Sequence, residues 1–177
     1  MRIETDRLII RSIQRRDEII FSDMARDGSL IQVGFDANCY EWINDWFIEA
    51  EELTKNDNPR ENYIPFVVVL KETGEVIGSV GSTYYDDVDK VGICYFVGAN
   101  FRQKGYITEA VKAYVTFFFN HYNETEIMAT ILDANIPSWK VAEKSGFDLI
   151  EKKMYNDIDD EKEEMYRFYI IHRTRDE

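Results

Sequence analysis

Three β-type runs follow one another at 63–70, 76–84 and 91–97, separated by the turn-forming stretches Lys71-Glu72-Thr73-Gly74-Glu75 and Asp86-Asp87-Val88-Asp89. Short turns of this kind join antiparallel neighbours. The pattern then changes. Ile107, Ala110, Val111, Tyr114, Val115 and Phe118 recur at helical spacing until about Asn120, and another β-type run occupies 126–132. A strand, a helix and a returning strand make a crossover unit, which sets the flanking strands parallel and connects them right-handedly. The chain is thereby held to an α/β sheet that is antiparallel on one side of 91–97 and parallel on the other.

The flanks add to this frame. Residues 6–13 alternate, with Leu8 and Ile10 on one side and Arg7, Ile9 and Arg11 on the other, as in a half-exposed first strand. Residues 15–25 read as helix. In 36–53 the positions Tyr40, Ile43, Trp46, Phe47 and Ala50 form an amphipathic stripe rich in aromatics, stopped by Asn56-Asp57-Asn58-Pro59. A shorter helix is expected from Ser138 to a left-handed cap at Gly146, and strands at 147–153 and 165–171 around an acidic turn over 156–164. No repeat, linker or boundary divides the 177 residues, so one domain over 1–177 is expected.

Charge narrows the partners. A net charge of −13 disfavours nucleic acid, whose phosphates need a basic face, and suits a cationic small substrate or basic peptide. No run approaches the roughly 20 apolar residues of a spanning helix, and the start lacks an apolar signal core, so no membrane contact and a cytoplasmic location are expected. Cys39 and Cys94 lie far apart, and His121 and His172 are too separated for a metal site; no metal is expected. The three aspartates at 86–89 lack the glycine and terminal glutamate of a calcium loop and read as a solvated turn.

Against that acidic background, Phe101-Arg102-Gln103-Lys104-Gly105-Tyr106-Ile107-Thr108 sets two bases and a glycine between a strand end and a helix start. Unpaired NH groups and partial positive charge at a helix start suit a phosphate anion. Gly105 lets the loop turn, and Arg102 and Lys104 add charge, so the stretch reads as a diphosphate cradle. It lacks the second glycine and Lys-Ser/Thr ending of a P-loop, and loops of this composition also cap helices that bind nothing.

TDRLIIRSI (5–13), CYFVGANFRQKGYITEAV (94–111) and NIPSWKVAEKSGF (135–147), taken in order, resemble the GCN5-related N-acetyltransferases, most closely the branch of ribosomal-protein alanine acetyltransferases. The likeness spans nearly the whole chain. It implies an α/β fold with a mixed, mostly antiparallel sheet of about seven strands, a splayed parallel central pair and about four helices. The family loop reads Gln/Arg-x-x-Gly-x-Gly/Ala, matched by Arg102 to Tyr106 and departed from at Ile107. It implies that NH groups of Gln103, Lys104, Gly105, Tyr106, Ile107 and Thr108 hold the pyrophosphate of acetyl-CoA. Backbone of Phe96, Val97 and Gly98 is then expected along the pantetheine arm, Asn135 at the thioester end, and Ser138 as proton donor to the leaving thiolate.

The same likeness implies transfer of an acetyl group to a primary amine, on a peptide N-terminus or on a small molecule such as a polyamine, aminoglycoside or amino acid. Many relatives in this branch carry a glutamate early in the strand before the loop; here that position falls on Gly92, leaving Tyr95 or Glu41, acting through water, as open candidates for the base. The loss of that carboxylate keeps a second reading in view, a non-catalytic acetyl-CoA-binding or sensing module. A plain interaction domain without cofactor is a third. Trp42 and Trp46, four apart on one helix, fit an acceptor wall or a buried or dimer-contact stripe, and a homodimer is among the expected arrangements.

Overall fold

The computed structural model describes residues 1–28, 30–156 and 162–174. Eight strands form one sheet in the order β1-β2-β3-β4-β5-β6-β8-β7. They are β1 (Arg2–Glu4), β2 (Leu8–Ser12), β3 (Tyr63–Leu70), β4 (Val76–Tyr85), β5 (Lys90–Val97), β6 (Glu126–Leu132), β7 (Asp148–Tyr155) and β8 (Glu164–His172). The helices are α1 (Glu18–Ala25), α2 (Ile43–Asn56), α3 (Tyr106–His121) and α4 (Ile136–Lys144). Every neighbouring pair is antiparallel except β5 and β6, as the crossover pattern requires.

The sheet is covered on both faces, which explains the almost continuous apolar run Tyr-Ile-Pro-Phe-Val-Val-Val-Leu of β3. Phe66 and Val68 pack with Ala110, Val111, Tyr114 and Phe118 of α3. Val67 and Val69, pointing the other way, pack with Phe21 of α1 and Ile43, Phe47 and Ala50 of α2. On β5 the same alternation sends Val91, Ile93 and Tyr95 to the α3 side and Phe96 to the α1 side, where its ring meets Phe21 edge-on at 5.3 Å. Among the described residues no helix is long and apolar enough to cross a membrane.

Strands β3 and β6 occupy the residues the pattern assigns, and the sheet gains β1, a three-residue strand too short to show any period. Three helix starts differ from expectation, α1 beginning at Glu18 because 15–17 forms a separate tight turn. Helix α2 begins at Ile43, because 36–42 is spent on a short turn around Cys39–Glu41 that leaves Tyr40 65% exposed and outside the stripe. Helix α4 begins at Ile136, two residues ahead of Ser138, with Asn135 capping it and Pro137 in the first turn, where a missing NH costs nothing. Gly146 has φ +95°, the left-handed stop foreseen for it. The turn expected over 156–164 falls mainly outside the described residues.

Candidate active site

The parallel pair is joined at a single register position, Gly92 opposite Met128. Beyond it β5 stays bonded to β4 up to Val97 and β6 to β8 up to Leu132, so the two strands part company toward their C-terminal ends. This opening lies beneath the basic loop. At its top Gly98 is anchored by its NH to the Ile77 carbonyl (2.9 Å), and a short turn over Ala99–Phe101 leads to Arg102.

The loop enters α3 through two left-handed residues, Gln103 (φ 60°) and Gly105 (φ 78°). Glycine adopts that conformation without the Cβ penalty. Among the described residues, the NH groups of Gln103, Lys104, Gly105, Tyr106, Ile107 and Thr108 donate to no backbone carbonyl, and the first helical bond of the loop is Glu109 NH to Gly105 O at 3.1 Å. A run of six backbone donors at a helix start is what a polyanion requires. Lys104 Nζ sits 5.6 Å over the Phe101 ring. Ile107, the residue that breaks the family pattern, packs against the α3-side core, so its bulk is taken up by the interior.

Sequence reasoning missed what holds this loop in place. Arg7, the residue before β2, donates to the Lys104 carbonyl from Nη1 (3.0 Å) and lies 4.6 Å over the Tyr106 ring. It also grips Glu109, from its backbone NH to Oε1 (3.0 Å) and from Nε and Nη2 to Oε2 (2.7 and 2.6 Å), while the Thr5 hydroxyl donates to Oε1 (2.6 Å). Burial pushes the Glu109 carboxyl up, but the hydrogen bonds from Thr5 and Arg7 outweigh it and hold the group below the ordinary carboxylate value. The available signal was the T-x-R opening of 5–13, which no local pattern ties to a residue 102 positions away.

On the α4 side of the opening, Asn135 caps the helix by accepting from the Ser138 NH (3.3 Å). The Ser138 hydroxyl donates to the Tyr95 oxygen at 3.3 Å, and the Tyr95 hydroxyl donates in turn to the Ser138 carbonyl at 2.8 Å. Asn135, Ser138 and Tyr95 are thus brought together across the gap between β5 and β6. Burial pushes the Tyr95 phenol well above its ordinary value, which favours the protonated form that donates to the Ser138 carbonyl. Glu41 is exposed in the turn before α2 and accepts from the Tyr40 hydroxyl at 3.2 Å, as a solvated residue does.

Gly92 has a steric reason for being glycine. A Cβ there would lie 2.3 Å from Cε2 of Tyr85, whose ring covers the strand on the face opposite Tyr95. An aromatic ring stands where a carboxylate on β5 would have to project. Trp46 is packed inside the α1-side cluster and stacks on Tyr63 (5.5 Å, 3°), while Trp42 lies against Phe35 at 5.5 Å and is 38% exposed.

A strand pair that opens beneath a donor-rich helix start has counterparts among known proteins. The family model described as Acetyltransferase (GNAT) domain matches residues 7–148. The chain belongs to the GNAT acetyltransferases. It is 28% identical over 148 residues to the Bacillus subtilis (strain 168) protein named uncharacterized N-acetyltransferase YnaD, covering 82% of each chain. Its fold is shared with the ribosomal L7/L12 α-N-protein acetyltransferase RimL, solved in complex with coenzyme A (TM-score 0.80, 12% identity, 97% of this chain and 98% of that one). It is shared too with the ribosomal-protein-S5-alanine acetyltransferase of Vibrio fischeri (TM-score 0.76, 20% identity, 97% and 96%). This GNAT chain is therefore an acyltransferase of the acetyl-CoA-dependent type.

Proposed function

We propose that residues 1–177 form one N-acetyltransferase domain that passes an acetyl group from acetyl-CoA to a primary amine, on a peptide N-terminus or a small molecule. The observation that carries this reading is the single-rung opening between β5 and β6, with free backbone donors at its top and a serine hydroxyl on its flank. When bound, acetyl-CoA supplies the activated acyl carbon. Gln103 to Thr108 hold the pyrophosphate through backbone NH groups, Arg102 and Lys104 add positive charge, and Phe96, Val97 and Gly98 offer backbone to the pantetheine arm. Asn135 orients the thioester end, and the NH near Val97 polarises the carbonyl. Ser138 Oγ gives its proton to the leaving thiolate and takes in turn the proton that the amine nitrogen sheds on becoming an amide, so the products are the amide and the free thiol; rotation about its Cβ–Oγ bond frees the hydroxyl proton from the Tyr95 oxygen.

The covered Gly92 bears on the acceptor. With no carboxylate on β5, the amine must arrive largely neutral. An α-amine with a pKa of about 7.7–8.0 is roughly one-tenth neutral at pH 7, against less than about one-thousandth for an alkyl amine of pKa about 10.4. That difference favours a free peptide N-terminus over a polyamine. A cytoplasmic location and a homodimer belong to the same proposal.

The Tyr85 ring over Gly92 also favours a second reading, an acetyl-CoA-binding module without turnover. Free-thiol release from acetyl-CoA, followed with peptides bearing free N-termini, amino acids, aminoglycosides and polyamines, separates the two. Acceptor-dependent release, greatest for peptides with free N-termini, is expected. Binding of acetyl-CoA with no release across the panel would instead support the module.

A further inference from the structure

The first turn of α3 carries one acidic side chain, Glu109. A carboxylate there suits the helix dipole, yet it sits on the same turn whose NH groups would receive a diphosphate, and two anions compete for one field. The structure meets this conflict with Arg7 and Thr5. Oxygen Oε1 accepts from the Thr5 hydroxyl and the Arg7 NH, and Oε2 accepts from the Arg7 guanidinium through two nitrogens. The remaining guanidinium nitrogen reaches the Lys104 carbonyl, turning that oxygen toward β2, and the plane of the group covers Tyr106.

We propose that Arg7 is a positioning residue for coenzyme binding, which acts chiefly by neutralising Glu109 so that the loop can accept a diphosphate, its bond to the Lys104 carbonyl adding the smaller part. This rests on the acetyl-CoA reading of the loop given above. A residue just ahead of β2 thereby controls a binding loop that it does not belong to. A staple that only fastened β2 to α3 would treat Glu109 as a partner to keep. An electrostatic guard treats it as a charge to silence, and the two differ in what happens when both residues are removed.

Calorimetric titration of coenzyme A into the wild type, Arg7→Met, Glu109→Gln and the double variant reads the difference. Arg7→Met, which leaves an uncompensated carboxylate beside the loop, is expected to weaken binding about tenfold or more, with the loss shrinking as salt is raised. Glu109→Gln is expected to bind as tightly as wild type or tighter. The double variant is expected to recover to within about threefold of wild type. Should Arg7→Met not fold, Glu109→Gln still decides, since binding weakened beyond about threefold contradicts the guard and supports the staple. A double variant as weak as Arg7→Met would likewise overturn it. If the wild type itself does not bind coenzyme A, the reading of the site fails first and the inference with it.

Discussion

The Tyr95 hydroxyl donates to the Ser138 carbonyl at 2.8 Å and accepts from Ser138 Oγ at 3.3 Å, so one tyrosine on β5 holds both ends of one serine on α4. The bond spans the opening between β5 and β6. Ser138→Ala is expected to lower kcat by about a hundredfold, the usual weight of a positioned proton donor, with coenzyme A affinity within about twofold of wild type. Tyr95→Phe is expected to lower stability by about 1 kcal/mol, the usual worth of a hydrogen bond, and to lower kcat less than the serine variant does. Single-turnover kinetics and urea denaturation check both, and normal turnover in Ser138→Ala reduces that residue to a member of the helix cap.

Tyr85 and Gly92 form a lock of ring over glycine. Because an added Cβ would meet the ring at 2.3 Å, Gly92→Ala is expected to cost about 1–3 kcal/mol through overpacking. Adding Tyr85→Ala should return part of that loss, a coupling visible in a double-variant cycle by denaturation. Independent, additive effects would mean that the ring yields freely and that the glycine is there for another reason.

Cys94 is exposed and lies two residues past the last rung of the parallel pair, on the strand edge that the pantetheine arm would follow. Alkylation by iodoacetamide, read by mass spectrometry, is expected to label Cys94 and not the buried Cys39, and saturating acetyl-CoA is expected to slow the labelling about tenfold or more, in step with the occupied fraction. Equal rates with and without the ligand would place the arm elsewhere.

The acid side of the stability profile carries a signature of Glu109. Its carboxyl is held below its ordinary value of 4.5, so its contribution is present in full above that value and is lost as the pH falls through the lowered folded value. The stability difference between wild type and Glu109→Gln should be constant from neutrality down to about pH 5 and shrink below about pH 4. Denaturation midpoints of the two proteins across this range test it; a difference that grows toward acid would reverse the sign of the argument.

Much of the scaffold was legible because local rules agree with the tertiary outcome. β3 and β6 could be placed to the residue, since turn or breaker residues bound runs that both faces of the sheet bury. The parallel pair followed from the chirality and length of a crossover, without any contact information. The short turn before α2 was not legible, because Tyr40 continues the helical spacing that solvent exposure then contradicts. The Arg7–Glu109 clamp was invisible for a different reason: each partner is unremarkable in its own segment, and only the docking of α3 against β2 brings them together. Gly92 was seen as a missing base. Its meaning as a close approach needed the position of Tyr85, although a glycine inside a strand is itself a sign of something packed near.

A loop from Arg102 to Thr108 that seats the diphosphate of acetyl-CoA above the gap between β5 and β6, as proposed, must lose affinity when its charge is reversed. Titrating acetyl-CoA into the wild type and into Arg102→Glu/Lys104→Glu tests it most directly. Saturable binding to the wild type is expected, weakened about tenfold or more by reversal of the two charges, with the difference shrinking as salt is raised. An affinity unchanged by the reversal would contradict it.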